Sequence, residues 1–442
     1  MLTKSCTITV RPQERRQTIS GFGVNINGRY WDNGTLAPVV DRLIDDLGAT
    51  LFRLDVYGKS NWVDPDGTLG REKALSRENL DRVHASAVFQ SGLGMARHFN
   101  ARGIEPYVTL SGIVPPWMCA ADGKTLADVG SYCRMAADFA SWLRRSGVRF
   151  HLFGPQNETD IGPPEGPAVS PQAFVDMTRA LAKRFDEAGL ADVKFVVAEQ
   201  AWFCHSFLEP FNNAPDLRGR IAALGMHTYA DNEPVADVVG RWRAGPHQDA
   251  PVWMTEYGDL DQTGEQEFYF AWAILRRLFH LLKGGMNGAL NWDAFDNYHD
   301  HDETWSIYGL IRTGLRTFTP KKRYYACRHV YRFARPGCVR VECAADTDGV
   351  DALAFIDKDG GMVVVGMNDR PEALRVIVRP DGAERTPVAS PGAGYLTTEQ
   401  LNCAQVGAGL FRPWSTARLG WQMDVPPKSV FTIAAGGGST PV

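Results

Sequence analysis

The sequence predicts an α/β protein: a (β/α)8 TIM barrel with a β-sandwich side domain built from both chain ends. Three observations lead there. From about residue 17 to residue 298, short apolar or β-branched runs give way to polar loops rich in Gly, Pro, Asn or Asp and then to amphipathic helical stretches, the alternation of βα units. Eight such runs occur over a length that suits a closed barrel, and none is followed by the Gly-x-Gly-x-x-Gly turn of a dinucleotide-binding sheet. After Pro320 the texture changes to short alternating runs, which read as antiparallel strands of a small sandwich.

In chain order the predicted barrel strands are Thr18–Asn25, Thr50–Val56, Pro106–Ser111, Val148–Gly154, Lys194–Ala198, Ala223–His227, Val252–Thr255 and Gly288–Trp292. Helices fit between them; Pro38–Leu47, for example, sets Val39, Val40, Leu43, Ile44 and Leu47 along one stripe. A last helix is expected over Lys321–Ala334 and is ended by Arg335-Pro336-Gly337. Side-domain strands follow at Val339–Cys343, Ala352–Ile356, Met362–Met367 and Val430–Ala434, and the early run Cys6–Val10 is expected to join them. The expected domains are therefore 15–325 for the barrel and 1–14 plus 326–442 for the sandwich, with a disordered tail from Gly436–Gly438 onward.

Composition narrows the function classes. The 442 residues are 44% hydrophobic, 22% charged and 11% aromatic, which describes a folded globular chain. Lys+Arg at 47 against Asp+Glu at 51 leave a net charge of -4, so no basic field exists to hold nucleic acid or an anionic membrane. No membrane span is expected either, because even Phe268–Leu282 is broken by Arg276, Arg277 and His280. The opening Met1–Thr7 lacks the apolar run of a secretory leader, so the chain as given reads as intracellular, or as secreted if a leader was removed. The eight cysteines are far apart with no Cys-x-x-Cys pair, and they read mainly as reduced core residues. Neither a cofactor nor a metal is expected.

In such a barrel the chemistry sits where the strands end. The fourth predicted strand closes with Gly154-Pro155-Gln156-Asn157-Glu158 and the seventh with Trp253-Met254-Thr255-Glu256-Tyr257-Gly258, so two carboxylates reach one face. Glycoside hydrolysis needs such a pair: a proton donor for the leaving oxygen, and an anion to attack or stabilise the oxocarbenium-like centre. Asn157 adjoins the first carboxylate and can bond a sugar hydroxyl beside the reacting carbon. Arg53, at the end of the second strand with Asp55, can keep a nucleophilic carboxylate ionised and aimed. The sixth strand delivers His227 and Tyr229 as further hydrogen-bonding groups, and Trp117 and Trp292 offer flat faces for sugar rings.

Together Pro115-Pro116-Trp117-Met118, Asn157-Glu158, Trp253-Met254-Thr255-Glu256 and the stretch from Tyr324-Tyr325 through His329 to Phe333-Ala334-Arg335-Pro336-Gly337 resemble glycoside hydrolase family 30, a family of the retaining clan A, over nearly the whole chain. The resemblance implies a (β/α)8 barrel fused to a β-sandwich, with Glu158 as acid/base, Glu256 as nucleophile and a β-linked glycan or glycoside as substrate. Two positions depart from the family pattern: the usual Gly-Phe-Gly-Gly-Ala opening is Gly21-Phe22-Gly23-Val24-Asn25 here, and Cys119 stands where a Lys is common.

Other readings compete. Glu158 and Glu256 would otherwise be surface carboxylates at helix starts, and Arg53 a structural salt-bridge partner. Glu199, closing the fifth strand, is the rival acid, although a supporting or subsite role suits it better; substrate hydrogen bonding suits Asp55 and Asp293. Trp117, Trp202, Trp253 and Trp292 could each be core, the common fate of Trp at barrel strands; Trp117 and Trp292 are kept as ring platforms, which leaves core burial for Trp202 and Trp253. The run His299-Asp300-His301-Asp302-Glu303 invites a metal reading, but as a loop after the eighth strand it reads rather as substrate-contacting or solvated. The competing functions are a transglycosidase and a carbohydrate-binding barrel that does not hydrolyse. Residues 57–78, 159–170, 202–215 and 293–316 follow strands at the mouth and are the candidate specificity loops.

Overall fold

The computed structural model describes residues 4–56, 61–260, 267–296, 309–314, 317–381, 392–407, 409–413 and 420–435. After β1 (Lys4–Thr18), eight strands close a parallel barrel in sequence order: β2 (Gly21–Asn27), β3 (Leu51–Asp55), β4 (Tyr107–Thr109), β5 (Leu152–Gly154), β6 (Lys194–Gln200), β7 (Ile221–Thr228), β8 (Val252–Tyr257) and β9 (Gly288–Asn291). They coincide with the eight predicted runs apart from their ends. The largest shift is in β5, which starts at Leu152 rather than Val148. Residues 147–148 instead terminate the preceding helix, Gly147 turning left-handed at φ 82° and the Val148 N–H closing on the Leu143 carbonyl at 3.0 Å. The predicted helix at Pro38–Leu47 is split: an α-helix over Ala37–Arg42 widens to a π turn over Leu43–Leu47 and ends at left-handed Gly48.

Two short strands, β10 (Ile311–Thr313) and β11 (Phe318–Pro320), pair with each other before the last helix, Lys322–Tyr331. The side domain then adds β12 (Val339–Ala345), β13 (Val350–Ile356), β14 (Met362–Asn368), β15 (Leu374–Pro380), β16 (Ala393–Thr397), β17 (Ala404–Val406), β18 (Phe411–Pro413), β19 (Trp421–Val425) and β20 (Ser429–Ala435). With β1 these form one hydrogen-bonded ten-stranded arrangement in the order β17-β16-β20-β14-β13-β12-β1-β15-β19-β18, around a core that includes Ile8, Val341, Val376 and Phe431. The predicted runs are β12, β13, β14 and β20, and Cys6–Val10 lies in β1; the five strands β15 to β19 are additional. Pairing is not purely antiparallel, since β1 runs antiparallel to β12 and parallel to β15.

The last helix joins the two parts. Buried His329 bonds Thr432 through Nδ1 at 2.7 Å and Thr397 through Nε2 at 2.8 Å, while Tyr331 stacks on Phe22 of β2 at 5.2 Å and its hydroxyl meets that of Tyr257 at 2.8 Å. All eight cysteines are free thiols, five buried and three (Cys119, Cys204, Cys343) partly exposed. Among the described residues no helix is long and apolar enough to cross a membrane. The predicted tail from Gly436 lies outside the described residues.

Candidate active site

Strand alternation decides what faces the barrel interior. On β3 it turns Arg53 inward, in register with Asn25 of β2 on one side and Tyr107 of β4 on the other. The guanidinium, buried with 3% of its side chain exposed, is consumed by four partners. Nη1 donates to Glu256 Oε1 at 2.7 Å and Asn25 Oδ1 at 2.9 Å, Nη2 donates to Asn157 Oδ1 at 2.6 Å, and Nε pairs with Glu199 Oε1 at 2.7 Å. A planar fork of five N–H donors can serve carboxylates on two sides at once, which a lysine cannot. With Oδ1 of Asn157 engaged, the polar atom left for another partner is the donor Nδ2.

Glu158 enters from the loop after β5. Its own N–H donates to the Glu199 carbonyl at 3.0 Å and its φ is 42°, a left-handed value that non-glycine residues seldom adopt. The strand beneath that loop must end in glycine: a Cβ on Gly154 would stand 2.5–2.6 Å from Glu199 Oε2, Thr109 Oγ1 and the Tyr107 hydroxyl. Glu256, at the end of β8, accepts from Arg53 on Oε1 and from the Tyr229 hydroxyl on Oε2 at 2.7 Å. His227 of β7 lies between the acids, its Nδ1 bonded to Glu158 Oε1 at 2.6 Å and 3.6 Å from Glu256 Oε2. One oxygen of Glu158 and one of Glu256 lie within 4.8 Å of each other.

The electrostatics follow from burying these charges together. Burial works against the His227 cation but is outweighed by Glu256, Glu158 and Glu199, which push its pKa up to about 10. Burial also works against an ionised Glu199, yet Arg53 first and His227 second hold it down to about 2. For Glu256 burial wins and the neighbouring Glu158 adds to it, so its pKa is raised although His227, Arg53 and Tyr229 all favour the anion. Two cations, Arg53 and His227, thus face three carboxyl groups, and the set is neutral when one carboxyl is protonated. Glu256 receives donors on both oxygens, and Glu158 is bonded to His227 through Oε1.

By distance alone Glu158, His227 and Glu256 could hold a metal ion. The same atoms are engaged within the protein, His227 Nδ1 with Glu158 Oε1 and the Glu256 oxygens with Arg53 and Tyr229. The His299–Glu303 run lies outside the described residues.

The structure thus brings together Arg53, Asn157, Glu158, His227, Tyr229 and Glu256. Asp55, at the end of β3, accepts from the Ser111 hydroxyl. Trp117 is half-buried with its indole N–H on Asp64 Oδ2 at 2.9 Å, and half-buried Trp292 donates its backbone N–H to the Tyr257 carbonyl at 2.8 Å. Asp293 is buried, and desolvation together with Asp296 raises its pKa well above the usual range. Trp253 is buried as expected, whereas Trp202 is not core: it is 66% exposed, because the chain leaves the barrel at a bulge in β6 before reaching it. Asn25, Tyr107 and Thr109 were not singled out from sequence. Asn25, one of the departures from the family pattern, bonds Arg53 and the Thr255 carbonyl, and Thr109 donates to Glu199 Oε2 at 3.2 Å. The available signal was a polar residue at an inward position of a strand end.

Residues 337–433 match the glycosyl hydrolase family 30 beta sandwich domain. The chain is 21% identical over 372 residues to the glucuronoxylanase XynC of Bacillus subtilis (strain 168), covering 82% of this chain and 78% of that one. The structure of the glycoside hydrolase family 30 subfamily 8 xylanase Xyn30A from Clostridium acetobutylicum is similar with a TM-score of 0.73 at 18% identity, over 98% of this chain and all of that one. That of the endo-beta1,6-glucanase BT3312 is similar with a TM-score of 0.69 at 16% identity, over 98% and 94% of the two chains.

Proposed function

We propose that this chain, a retaining glycoside hydrolase of family 30, cleaves a β-linked glycan with Glu158 as acid/base and Glu256 as nucleophile. The observation that carries the reading is the pair of carboxyl oxygens within 4.8 Å. Retaining enzymes hold their carboxyl groups about 5–5.5 Å apart, whereas inverting ones leave roughly 6.5–9.5 Å for a water. In the first step Glu158 gives its proton to the glycosidic oxygen. A Glu256 oxygen bonds the anomeric carbon, and the bond from that carbon to the leaving oxygen breaks. In the second, Glu158 takes a proton from water, whose oxygen attacks the same carbon and releases the Glu256 carboxylate. Two inversions restore the β configuration.

Charge counting supports this division of labour. In the free enzyme Arg53 and His227 balance Glu199 and Glu256 while Glu158 holds its proton. In the glycosyl-enzyme Glu256 is an uncharged ester, and the same two cations balance Glu199 and an ionised Glu158. The change from acid to base therefore needs no further charge in the site. Xylan is the first substrate to test, because the glucuronoxylanase relative aligns over most of both chains, and β-1,6-glucan is the second. A carbohydrate-binding barrel without hydrolysis is disfavoured, since binding alone requires no ionised carboxylate gripped from both sides beside a protonated one.

The test is a pair of variants. Glu256→Ala should abolish turnover with the fold intact. Glu158→Ala should lose far more on natural glycans than on aryl glycosides with good leaving groups, and azide should restore part of its activity. Equal losses on both substrate types would remove Glu158 from the acid role.

A further inference from the structure

We propose that Trp202, with Glu158 as proton donor as read above, is the platform on which the sugar of the leaving group rests. The acid protonates the leaving oxygen, so the leaving group lies on the Glu158 side of the mouth, where the loops after β5 and β6 emerge from adjacent strands. Those two loops are tied to each other. The Glu158 N–H donates to the Glu199 carbonyl at 3.0 Å, and the Asp160 carboxylate accepts from the backbone N–H groups of Ala201 at 2.9 Å and Trp202 at 2.8 Å. From within its own loop, Gln200 Nε2 donates to the Trp202 carbonyl at 2.5 Å and the Cys204 carbonyl at 2.9 Å.

This loop, tied through its backbone to the loop that carries the acid, leaves the Trp202 side chain exposed, at 66% of the residue. The chain reaches it through two successive left-handed residues, Ala198 at φ 73° and Glu199 at φ 47°, with a register break between Ala198 and Gln200. Non-glycine residues pay for such a backbone, and it persists where the surroundings enforce it, commonly beside a functional site. Here one distortion serves two ends: Glu199 is set beneath Arg53, and the following residues are carried out to the rim. Ile161, three residues after Glu158 on the partner loop, is a second exposed apolar side chain, at 47%. An indole face covered by the C–H face of a pyranose suits a neutral glycan better than a charged or extended apolar ligand.

The experiment compares Trp202→Ala, Trp202→Phe and the wild-type chain on xylan and β-1,6-glucan and on the matching β-glycosyl fluorides, whose leaving group is too small to reach the indole, with thermal melting as the folding control. The readout is the ratio of kcat/KM on the glycan to kcat/KM on the glycosyl fluoride. Loss of one stacked sugar face should lower that ratio about tenfold or more in the alanine variant, and phenylalanine should recover most of it. An unchanged ratio in a folded, active Trp202→Ala enzyme overturns the platform while leaving the catalytic pair in place. A wild-type chain that forms product from none of these substrates overturns the catalytic reading, and the platform with it.

Discussion

Tyr229→Phe isolates one hydrogen bond to the nucleophile. The hydroxyl donates to Glu256 Oε2 at 2.7 Å, and phenylalanine removes it while keeping the ring. A hydrogen bond to a charged group contributes about 1.5–3 kcal/mol, and one pKa unit corresponds to about 1.36 kcal/mol, so the loss would be worth roughly one to two units. Tyr229 is only partly buried, and water can replace some of the bond, so the lower end is expected, about one unit. The sign follows from which form the bond favours: a lost donor disfavours the anion, so the Glu256 pKa rises further. The acidic limb of kcat/KM reports the base of the free enzyme and should therefore move about one unit to higher pH, with the alkaline limb displaced less. The assay is a pH–rate profile on a 4-nitrophenyl glycoside, with product read after an alkaline stop. An unmoved acidic limb, or one shifted to lower pH, would refute the placement of Tyr229 on the nucleophile.

His227 has a folded-state pKa of about 10 against an ordinary 6.5, so the folded protein holds an extra proton between those values; its contribution to stability is complete below about pH 6.5 and is lost as the pH rises through 10. Thermal melts from pH 6 to 10 should therefore fall more steeply for wild type than for His227→Gln, and parallel curves would contradict the charged imidazole. His329 is held neutral by burial, its pKa lowered to about 3, and bridges Thr432 and Thr397. His329→Ala leaves those hydroxyls without partners and should cost about 2–4 kcal/mol in urea unfolding at pH 8; because the unfolded imidazole takes up a proton below about pH 6.5 and the folded one does not, wild-type stability should fall from pH 8 to pH 5 and that of the variant should fall less, and identical pH profiles would contradict the neutral buried imidazole.

Much of the barrel was legible because its signals are local. A buried parallel strand is a short apolar run, and the polar residue that closes it is visible in one dimension, which is how Arg53, Glu158, His227 and Glu256 come to attention together. Pairing was less legible. That Arg53 would serve Asn25, Asn157, Glu199 and Glu256 at once depends on where five strand ends converge, and no spacing encodes this. Glu199 shows the limit well: a rival acid by position, it is fully buried and ion-paired through Arg53 Nε, so it supports the site instead of meeting a substrate. Trp202 was misplaced because a tryptophan next to a strand is commonly core, whereas the bulge that carries it outward is a backbone property without a composition signature. In the side domain, β17 and β18 are three residues each, too short for alternation to declare them, and the parallel partner of β1 lies about 370 residues away in the chain, a separation at which the local pattern gives no register.

Covalent bonding of Glu256 to the sugar can be trapped directly. Incubation with an activated 2-deoxy-2-fluoro β-glycoside of the preferred sugar slows release of the glycosyl-enzyme, and mass spectrometry of a peptic digest then locates the label. One fluorosugar on the peptide containing Glu256, absent from Glu256→Ala, is the predicted result. A label on Glu158 or Glu199, or an active enzyme whose first product has the α configuration, would contradict it.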